Sequence, residues 1–431
     1  MDTRNAYTTS LLGGYRAPAE LGWAADLRRR ALERAHQLTI PTTRDEEWRF
    51  TDLSPLYKLA FRAATQSAEV PGARIAPWLI QEAATRLVFI DGHYAPVHST
   101  VVELTGVTVE SLANSMIVRD TAVRPLLDTL APHHDHAFRA INTAYLHDGA
   151  VIHVAPRTVV DAPIHLLFLS TQADTASHPR VLVNVESGAS VTLIEDYVGL
   201  ADGAYCVNAV TEVAVAANAQ VRHIRVQRES GQAFHIATHA ARVARDARYE
   251  SVSIALGARI SRLDLNVTQS GSNATMHLAG LALIGERQLA DTHSVVDHAH
   301  PHGSSRQLHK CIASGHAHGV FNGKILVRKD AQHTDSAQET RTLLLSPRAY
   351  VDAKPQLEIF ADDVKAAHGA TVGQLDRENL FYLQSRGIPA AAARNLLTYG
   401  FAAEVIDRIP VTSIAAALRR AVLEHMHIVE A

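Results

Sequence analysis

The chain has 431 residues, of which 47% are hydrophobic and 20% are charged, and its 41 Lys and Arg nearly balance its 44 Asp and Glu. This composition is typical of a folded protein of about three domains, and it excludes a disordered or fibrous class. The net charge of −3 offers no basic surface for nucleic acid or for an anionic membrane.

Two cysteines, Cys206 and Cys311, in a chain of this size indicate a reducing compartment rather than a disulfide framework. No run approaches the roughly 20 apolar residues that a membrane helix needs. Residues 1–30 lack the apolar core of a signal peptide. We therefore expect a cytoplasmic protein that does not associate with a membrane.

The N-terminal part shows mainly helical patterns. Apolar residues recur at helical intervals in an amphipathic segment that Pro41 closes, namely Ala24, Leu27, Ala31 and Leu38. Residues 44–53 predict a capped turn or short helix, and helical pieces are expected within 113–130. Strands are expected at 87–91 and within 101–109. We assign residues 1–135 to a mainly helical domain.

From residue 142 onward the sequence changes to short β-branched runs separated by Gly, Asn, Asp, Ser or Ala. A turn of small residues, one strand and a further turn recur, which is typical of a stacked array. Two architectures fit, an antiparallel sandwich and a parallel β-helix. The length of the region and the scarcity of Asn-Gly and Asp-Gly hairpin turns favour the β-helix, with its core over residues 136–375.

The C-terminal tail, residues 376–431, returns to helical spacing. Asp376 is a helix start signal, Gly387 a stop signal and Pro389 the next start. An open edge at each end of a β-helix would recruit other chains, so we expect helices to cap it. The predicted protein is thus mainly β, a solenoid flanked by N-terminal and C-terminal helical segments.

Common catalytic signatures are absent from the sequence. Gly323-Lys324 is followed by Ile325 where a phosphate loop needs Ser or Thr, and His318 replaces its first glycine. This excludes ATP hydrolysis by that route. No His-Glu-x-x-His, Gly-x-Ser-x-Gly or paired Cys-x-x-Cys motif occurs. Two cysteines cannot supply four thiolates to a cluster, so a soft metal site would need ligands from elsewhere.

Histidine is the unusual component, because several of the 25 copies cluster within residues 293–318. Side chains two apart on a strand share a face, so His298 with His300, or His316 with His318, could chelate a metal. No carboxylate or thiol recurs beside them at ligand spacing. We therefore favour a role as turn and solvent-facing residues of successive solenoid turns.

Two further candidates are interpreted as structural, the histidines of residues 133–136 and Trp48, which we expect to pack on its own domain. His368 is placed differently, because it lies where the strands end and the terminal helices begin. Gly369 and Gly373 permit tight backbone there, and His368 would lie on the solenoid edge, able to face a second protein. A lone histidine is usually structural, so this segment by itself does not decide its role.

Several motifs in order along the chain resemble the SufB/SufD family of iron–sulfur cluster assembly scaffolds, and within it the SufD branch. Besides His-Gly-Ala-Thr at 368–371, they are EEWRFTDL at 46–53, INTA at 141–144, PIH at 163–165, SRQLHK at 305–310, GVFNGK at 319–324 and KPQLEIFADD at 354–363. The match extends over most of the chain.

This resemblance implies a right-handed parallel β-helix that pairs through its edge with a SufB-like paralogue. The C-terminal helices would dock a SufC-like ABC ATPase, and a transient iron–sulfur cluster would form at the seam of the two paralogues. The chain itself would be a non-catalytic scaffold subunit without an ATP site, since the partner hydrolyses ATP. When isolated it could also form a homodimer.

Within the family's His-Gly-Ala-Thr motif, the histidine is a proposed ligand or acid/base group at the seam, and His368 occupies that position. The resemblance therefore assigns metal and cluster binding to His368. Many relatives have Lys-Cys-Ser-His here, whereas this chain has Lys365-Ala366-Ala367-His368, which excludes a thiol ligand two residues earlier. The family pattern does not demand a cysteine at Cys311, so we interpret that thiol as incidental.

Two other functions remain as alternatives. A β-helix enzyme acting on polysaccharides would use paired carboxylates and aromatic platforms, but the chain has only 6% aromatic residues and no recurrent acidic pair in its β region. A homodimeric iron-delivery protein would use histidines alone.

Overall fold

The computed structural model describes residues 11–16, 22–64 and 66–430, with side chains placed up to residue 425. Two sheets face each other and form a parallel β-solenoid, which confirms the predicted fold class. From residue 180 onward the chain alternates between the sheets, so two successive strands make one turn of the solenoid.

The strands are numbered in chain order. The 11-stranded sheet A contains β1 (Arg62–Ala63), β4 (Val107–Ser111), β5 (Gly149–Val154), β7 (Thr175–Ser177), β8 (Arg180–Val185), β10 (Cys206–Val215), β12 (Phe234–Val243), β14 (Ile260–Gln269), β16 (Leu289–His298), β18 (His318–Val327) and β20 (Tyr350–Ile359). The 10-stranded sheet B contains β2 (Thr85–Ile90), β3 (His93–Tyr94), β6 (Ile164–Ser170), β9 (Ser190–Gly199), β11 (Gln220–Arg228), β13 (Arg248–Ala255), β15 (Thr275–Ile284), β17 (Ser304–Ala313), β19 (Asp335–Leu344) and β21 (Lys365–Gly373).

The helices lie before and after the main run of strands. They are α1 (Gly22–Gln37), α2 (Ser54–Tyr57), α3 (Gly72–Ile75), α4 (Leu112–Val118), α5 (Asp120–Val123), α6 (Ala137–Ala144), α7 (Arg377–Ser385), α8 (Ala390–Ile406) and α9 (Thr412–Glu430), with 3-10 turns at Glu46–Trp48, Ala76–Trp78, Pro96–His98 and His133–Asp135. Among these described helices, none combines the length and the apolar character that a membrane crossing requires.

Local signals in the sequence position most of these elements. The predicted amphipathic helix is α1, and Asp376 caps α7 by accepting a hydrogen bond from the Glu378 N–H at 2.9 Å. Gly387 ends that helix with a φ of 86°, a left-handed conformation that glycine adopts without steric cost. The strand predicted within 101–109 is shorter than expected, since β4 begins only at Val107.

The bends that connect sheet A to sheet B stack on one another along the solenoid. The five bends between β10 and β19 each contain one non-glycine residue with a left-handed φ between 56° and 61°, namely Asn218, Asp246, Asn273, His302 and His333. Asn and Asp tolerate this conformation better than other side chains. The backbone N–H of Asn218 bonds to the Arg245 carbonyl of the next bend at 3.0 Å, so successive turns are tied together at their corners.

Apolar side chains of both sheets meet in the lumen of the solenoid. Val191 and Leu193 of sheet B share one cluster there with Val207 and Ala209 of sheet A. On the outer face of sheet A, the N-terminal region packs its own apolar residues, including Trp48, against the strands. Burial of this apolar surface is the main stabilising contribution to such a fold.

The C-terminal helices cover the flank of sheet B rather than the end of the solenoid. Val405 and Ile406 of α8 pack with Ile224 and Val226, which point outward from β11. Every residue of β21 except Ala366 is exposed. The expectation that these helices cap the C-terminal edge is therefore wrong, because their apolar residues pack against the apolar outer face of sheet B instead.

Candidate functional site

His368 lies in the middle of β21, the last strand of sheet B, and its side chain is exposed. Its backbone is opposite Gln338 of β19 in the parallel pairing. Within the described residues, β21 pairs with β19 alone, and β20 likewise ends sheet A. His368 is thus presented on an open double edge of the solenoid.

An open groove runs beside His368 across the outer face of sheet B. Its polar lining residues come from four strands and from the region of Glu404 and Arg408, and the strands contribute His277, Arg306, Gln307, Gln338, Glu339 and His368. His368 is in register with Gln338, whose side chain donates to the Gly323 carbonyl of sheet A at 3.1 Å, so the two side chains lie on the lumen side of their strands. Burial, and then the nearby Arg248 guanidinium, lower the pKa of His277, so that imidazole is neutral near pH 7. Imidazole nitrogens and carboxylate oxygens are ligands for iron and other first-row metals, whereas thiols are absent from this lining.

The groove is connected to the C-terminal helices through Glu404. Its carboxylate accepts hydrogen bonds from Lys310 of β17 and, at 3.0 Å, from Arg341 of β19. The Lys310 ammonium also donates to the Phe401 carbonyl at 2.9 Å and lies 4.4 Å from the centre of the Phe401 ring. These contacts join α8 to β17 and to β19, the strand that pairs with β21.

In the histidine-rich stretch 293–318, the two pairs that could have chelated a metal do not lie together on one strand. β16 ends at His298, so His300 lies beyond the strand, and His316 lies in the turn before β18. The solvent-facing assignment is correct for His300 but wrong for His298, which is buried and hydrogen-bonded to Gln269 at 3.1 Å. The sequence pattern missed this because the lumen of this solenoid accepts polar side chains.

Two other histidines of this stretch are also buried. His309 stacks on Phe321 with ring centres 4.4 Å apart, and burial lowers its pKa to about 3. His293 lies between Glu47, at 3.3 Å, and Asp291, at 3.2 Å. Each of these rings has a structural partner within its own chain. His302 is a turn residue, as predicted, and its ring stacks on that of His333.

The remaining candidates from the sequence, Trp48, His133 and Cys311, are wholly or partly buried in the chain or bonded to other residues of it. Trp48 is buried under the guanidinium carbon of Arg262, which lies 3.7 Å from its ring centre, and this confirms that Trp48 packs on its own chain. His133 bonds to Asp128 at 2.6 Å. Burial raises the pKa of Cys311 to about 12, so its thiol is protonated near pH 7 and is a poor ligand or nucleophile.

Sequence reasoning missed one group of potential metal ligands. Glu195, His223 and His239 lie inside the solenoid, and their ligand atoms are all within 4.8 Å of one another. They come from β9, β11 and β12, so no local motif joins them. The sequence does contain one signal for this group. Polar residues occur at alternate strand positions that point inward, where the lumen of a solenoid is normally apolar.

Fold and groove together define a two-sheet β-solenoid protein with an exposed histidine on an open edge strand. Residues 168–401 match the family described as SUF system FeS cluster assembly, SufBD core domain, and residues 22–166 match the SufBD protein N-terminal region. The chain therefore belongs to the SufBD family of the SUF iron–sulfur cluster assembly system.

Similar proteins carry corresponding names. Over 406 residues the chain is 39% identical to an iron-sulfur cluster assembly SufBD family protein of Synechocystis sp., covering 92% of this chain and 89% of the relative. It is 33% identical over 380 residues to the iron-sulfur cluster assembly protein SufD of Escherichia coli, with 86% and 85% covered. It is 34% identical over 384 residues to protein ABCI7, chloroplastic, of Arabidopsis thaliana, with 86% and 79% covered.

Proposed function

We propose that this chain is a SufD-type, non-catalytic scaffold subunit that pairs with a SufB-like paralogue and builds a nascent iron–sulfur cluster at their shared interface. The observation that carries the proposal is the open edge strand β21, with His368 exposed at its centre. An unpaired parallel strand offers a row of backbone donors and acceptors to another chain. The partner would cover this edge and enclose His368.

The ligand chemistry at this edge supports a shared site. The cluster is the cargo, and a cluster usually takes four protein ligands, whereas β21 offers one imidazole and no thiol. The SufB-like partner would therefore contribute the sulfur donors. Imidazole is a borderline ligand that is displaced more readily than a thiolate, which suits a site that must release its cluster.

The C-terminal helices support docking of a SufC-like ABC ATPase. Phe381 and Tyr382 of α7 are 72% and 56% exposed, and Leu396 of α8 is 50% exposed. Large apolar side chains exposed together on helices are typical of protein interfaces. The contact between Lys310 and Glu404 would carry movements of the ATPase to the strands beside His368. ATP hydrolysis belongs to that partner.

The proposed functional division follows the predicted domains. Residues 1–135 would form the N-terminal domain, 136–375 the β-helix core and 376–431 the ATPase-docking domain, in a cytoplasmic complex. β2 already joins sheet B by pairing with β6, so the first domain contributes to the solenoid as well. An open edge would also accept a second copy of this chain, so the chain could form a homodimer in the absence of the paralogue.

Co-expression with a SufB-like protein and a SufC-like ATPase, followed by affinity purification, tests the proposal. We expect wild type to retain both partners. Val372→Lys places a charge on the exposed edge strand, where Val372 is 52% exposed, and should release the paralogue but keep the ATPase. Val97→Lys is the matched control, since Val97 is 88% exposed outside the edge, and should retain both. A wild-type chain that retains neither partner would contradict the proposal.

A further inference from the structure

The lumen of the solenoid contains one polar group that the edge site does not use. Glu195 of β9 and His223 of β11 belong to sheet B, and His239 of β12 belongs to sheet A. All three side chains are buried. His223 Nε2 lies 2.9 Å from Glu195 Oε1, and His239 Nε2 lies 3.6 Å from Glu195 Oε2. We call these three residues the lumen triad.

Neighbouring hydroxyl groups hold two members of the lumen triad in place. Tyr197 donates to Glu195 Oε2 at 2.7 Å, and Thr211 donates to Glu195 Oε1 at 2.9 Å. The Tyr249 hydroxyl lies 2.9 Å from His223 Nδ1. Metal ligands typically have such hydrogen-bonded supports, which orient the carboxylate and select the tautomer of the imidazole. At 2.9 Å from Glu195 Oε1, His223 Nε2–H donates to the carboxylate. A bound cation would replace this proton, and Nδ1–H would then donate to the Tyr249 hydroxyl.

Within the lumen triad, His239 is the member with a side-chain nitrogen that has no hydrogen bond. Its Nε2 is fully buried and has no hydrogen-bond partner, although it faces Glu195. A buried polar atom without a partner is destabilising. The hydrogen bonds within the triad leave His239 Nε2 without a partner, whereas a bound cation would accept its lone pair.

We propose that the lumen triad binds one divalent first-row transition ion, through Glu195, His223 and His239. Two imidazoles and one carboxylate are a recurrent ligand set for Zn²⁺ and Fe²⁺. The rings of His223 and His239 are stacked, with centres 4.8 Å apart and planes 15° apart, so one ring must turn for both lone pairs to converge. His239 is the ring that turns, because its Nε2 has no hydrogen bond to lose.

An ion at this position would link the two sheets across the lumen. Glu195 and His223 lie on neighbouring strands of one sheet, and His239 lies on the facing sheet. Because the ligands are brought together only by folding, the binding free energy contributes to the stability of the folded chain. This site is separate from His368 and does not depend on the proposed scaffold role.

The test uses the full chain expressed in minimal medium supplemented with Co²⁺, Zn²⁺ or Fe²⁺, followed by elemental analysis and, for Co²⁺, visible absorption. We expect one ion per chain, with ligand-field bands of a cobalt site containing nitrogen ligands. Glu195→Gln and His239→Gln should each reduce metal content at least about tenfold. His235→Gln is the control, since His235 is buried on the same strand but bonds to Glu229 at 2.6 Å, and it should keep the ion.

Circular dichroism of each variant separates loss of the ion from loss of the fold. If the triad variants do not fold, X-ray absorption spectroscopy of the metal bound to the wild-type chain tests the proposal. The spectrum should show two imidazole ligands and one oxygen ligand. Wild-type chain with no more metal than His239→Gln would overturn the proposal. The proposal would also be overturned if both triad variants kept the ion and His368→Ala lost it, because the ion would then be bound at His368 on the edge strand.

Discussion

The Lys310 ammonium of β17 donates a hydrogen bond to the Glu404 carboxylate of α8, and the Lys310 side chain is only 3% exposed while that of Glu404 is 42% exposed. A buried cation from the solenoid is thus neutralised by a helix that packs on its flank. This pair joins the C-terminal helices to the sheet that carries His368.

Glu404→Gln leaves the Lys310 ammonium buried without its counter-charge. We expect the free energy of unfolding to fall by about 1–3 kcal/mol, the cost of a buried charged group that loses a partner, and proteolysis between β21 and α7 to accelerate. Urea unfolding and limited proteolysis measure the two effects. Glu424→Gln, on the exposed face of α9, should change neither. Equal stability of the two variants would show that the pair does not hold the helices.

His368→Ala removes the exposed imidazole of the edge strand without removing a packing contact of the core. We expect unchanged thermal unfolding and unchanged retention of both partners. Anaerobic cluster reconstitution in the complex, followed by visible absorption, should fall at least about tenfold, as for loss of a metal-site group. Thr371→Ala, also exposed on β21, is the control. Reconstitution that matches wild type would remove His368 from the site.

Gly280→Ala should destabilise the solenoid by displacing His309. A β-carbon at Gly280 would lie 2.6 Å from His309 Nδ1, and His309 is held against Phe321. Overpacking of a filled core typically costs about 1–3 kcal/mol. Gly231→Ala is the matched control, since no atom lies within 4 Å of the added carbon. If the free energies of unfolding measured in urea are equal for the two variants, His309 does not pack tightly against Gly280.

His293 should make the protein less stable at alkaline pH. Burial alone would lower the pKa of His293, but the Asp291 and Glu47 carboxylates raise it to about 9, from 6.5. Below pH 6.5 the imidazole is charged in both the folded and unfolded states, and the stabilisation is fully present. Between pH 6.5 and 9 the unfolded chain loses this proton while the folded chain keeps it, so stability falls as pH rises.

The full shift of about 2.5 pH units corresponds to about 3–4 kcal/mol, at 1.36 kcal/mol for each unit, and about 2–3 kcal/mol of it is lost between pH 6.5 and pH 9. Urea unfolding at pH 6.5 and pH 9 measures it. His293→Gln should show a smaller fall across this window, because it cannot release the proton. A wild-type chain and a His293→Gln variant with the same pH dependence would show that the imidazole is neutral between its two carboxylates.

Local signals were sufficient for the elements that the sequence predicts correctly. Asp376, Gly387 and the β-branched runs act within a few residues of themselves, so their effect can be predicted without knowledge of the fold. His302 and His333 are partly predictable, because a polar residue between strands is usually in a turn. Their stacking is not, since it depends on how successive bends superimpose.

The lumen triad illustrates the opposite case. Glu195 and His223 are 28 residues apart, and His239 reaches them from the other sheet. The alternating pattern of one strand predicts which of its side chains point to the same face of the sheet. It cannot tell which residues of the facing sheet they meet, or that the shared face is the lumen.

The sequence by itself determined the family, the β-solenoid and the flanking helical segments, because motif order and periodicity are properties of the chain read in one dimension. Only the tertiary structure decided which histidines enter the lumen, which occupy bends, and that the end of the solenoid remains open. These features depend on the register between strands one solenoid turn apart and on where the helices find apolar surface.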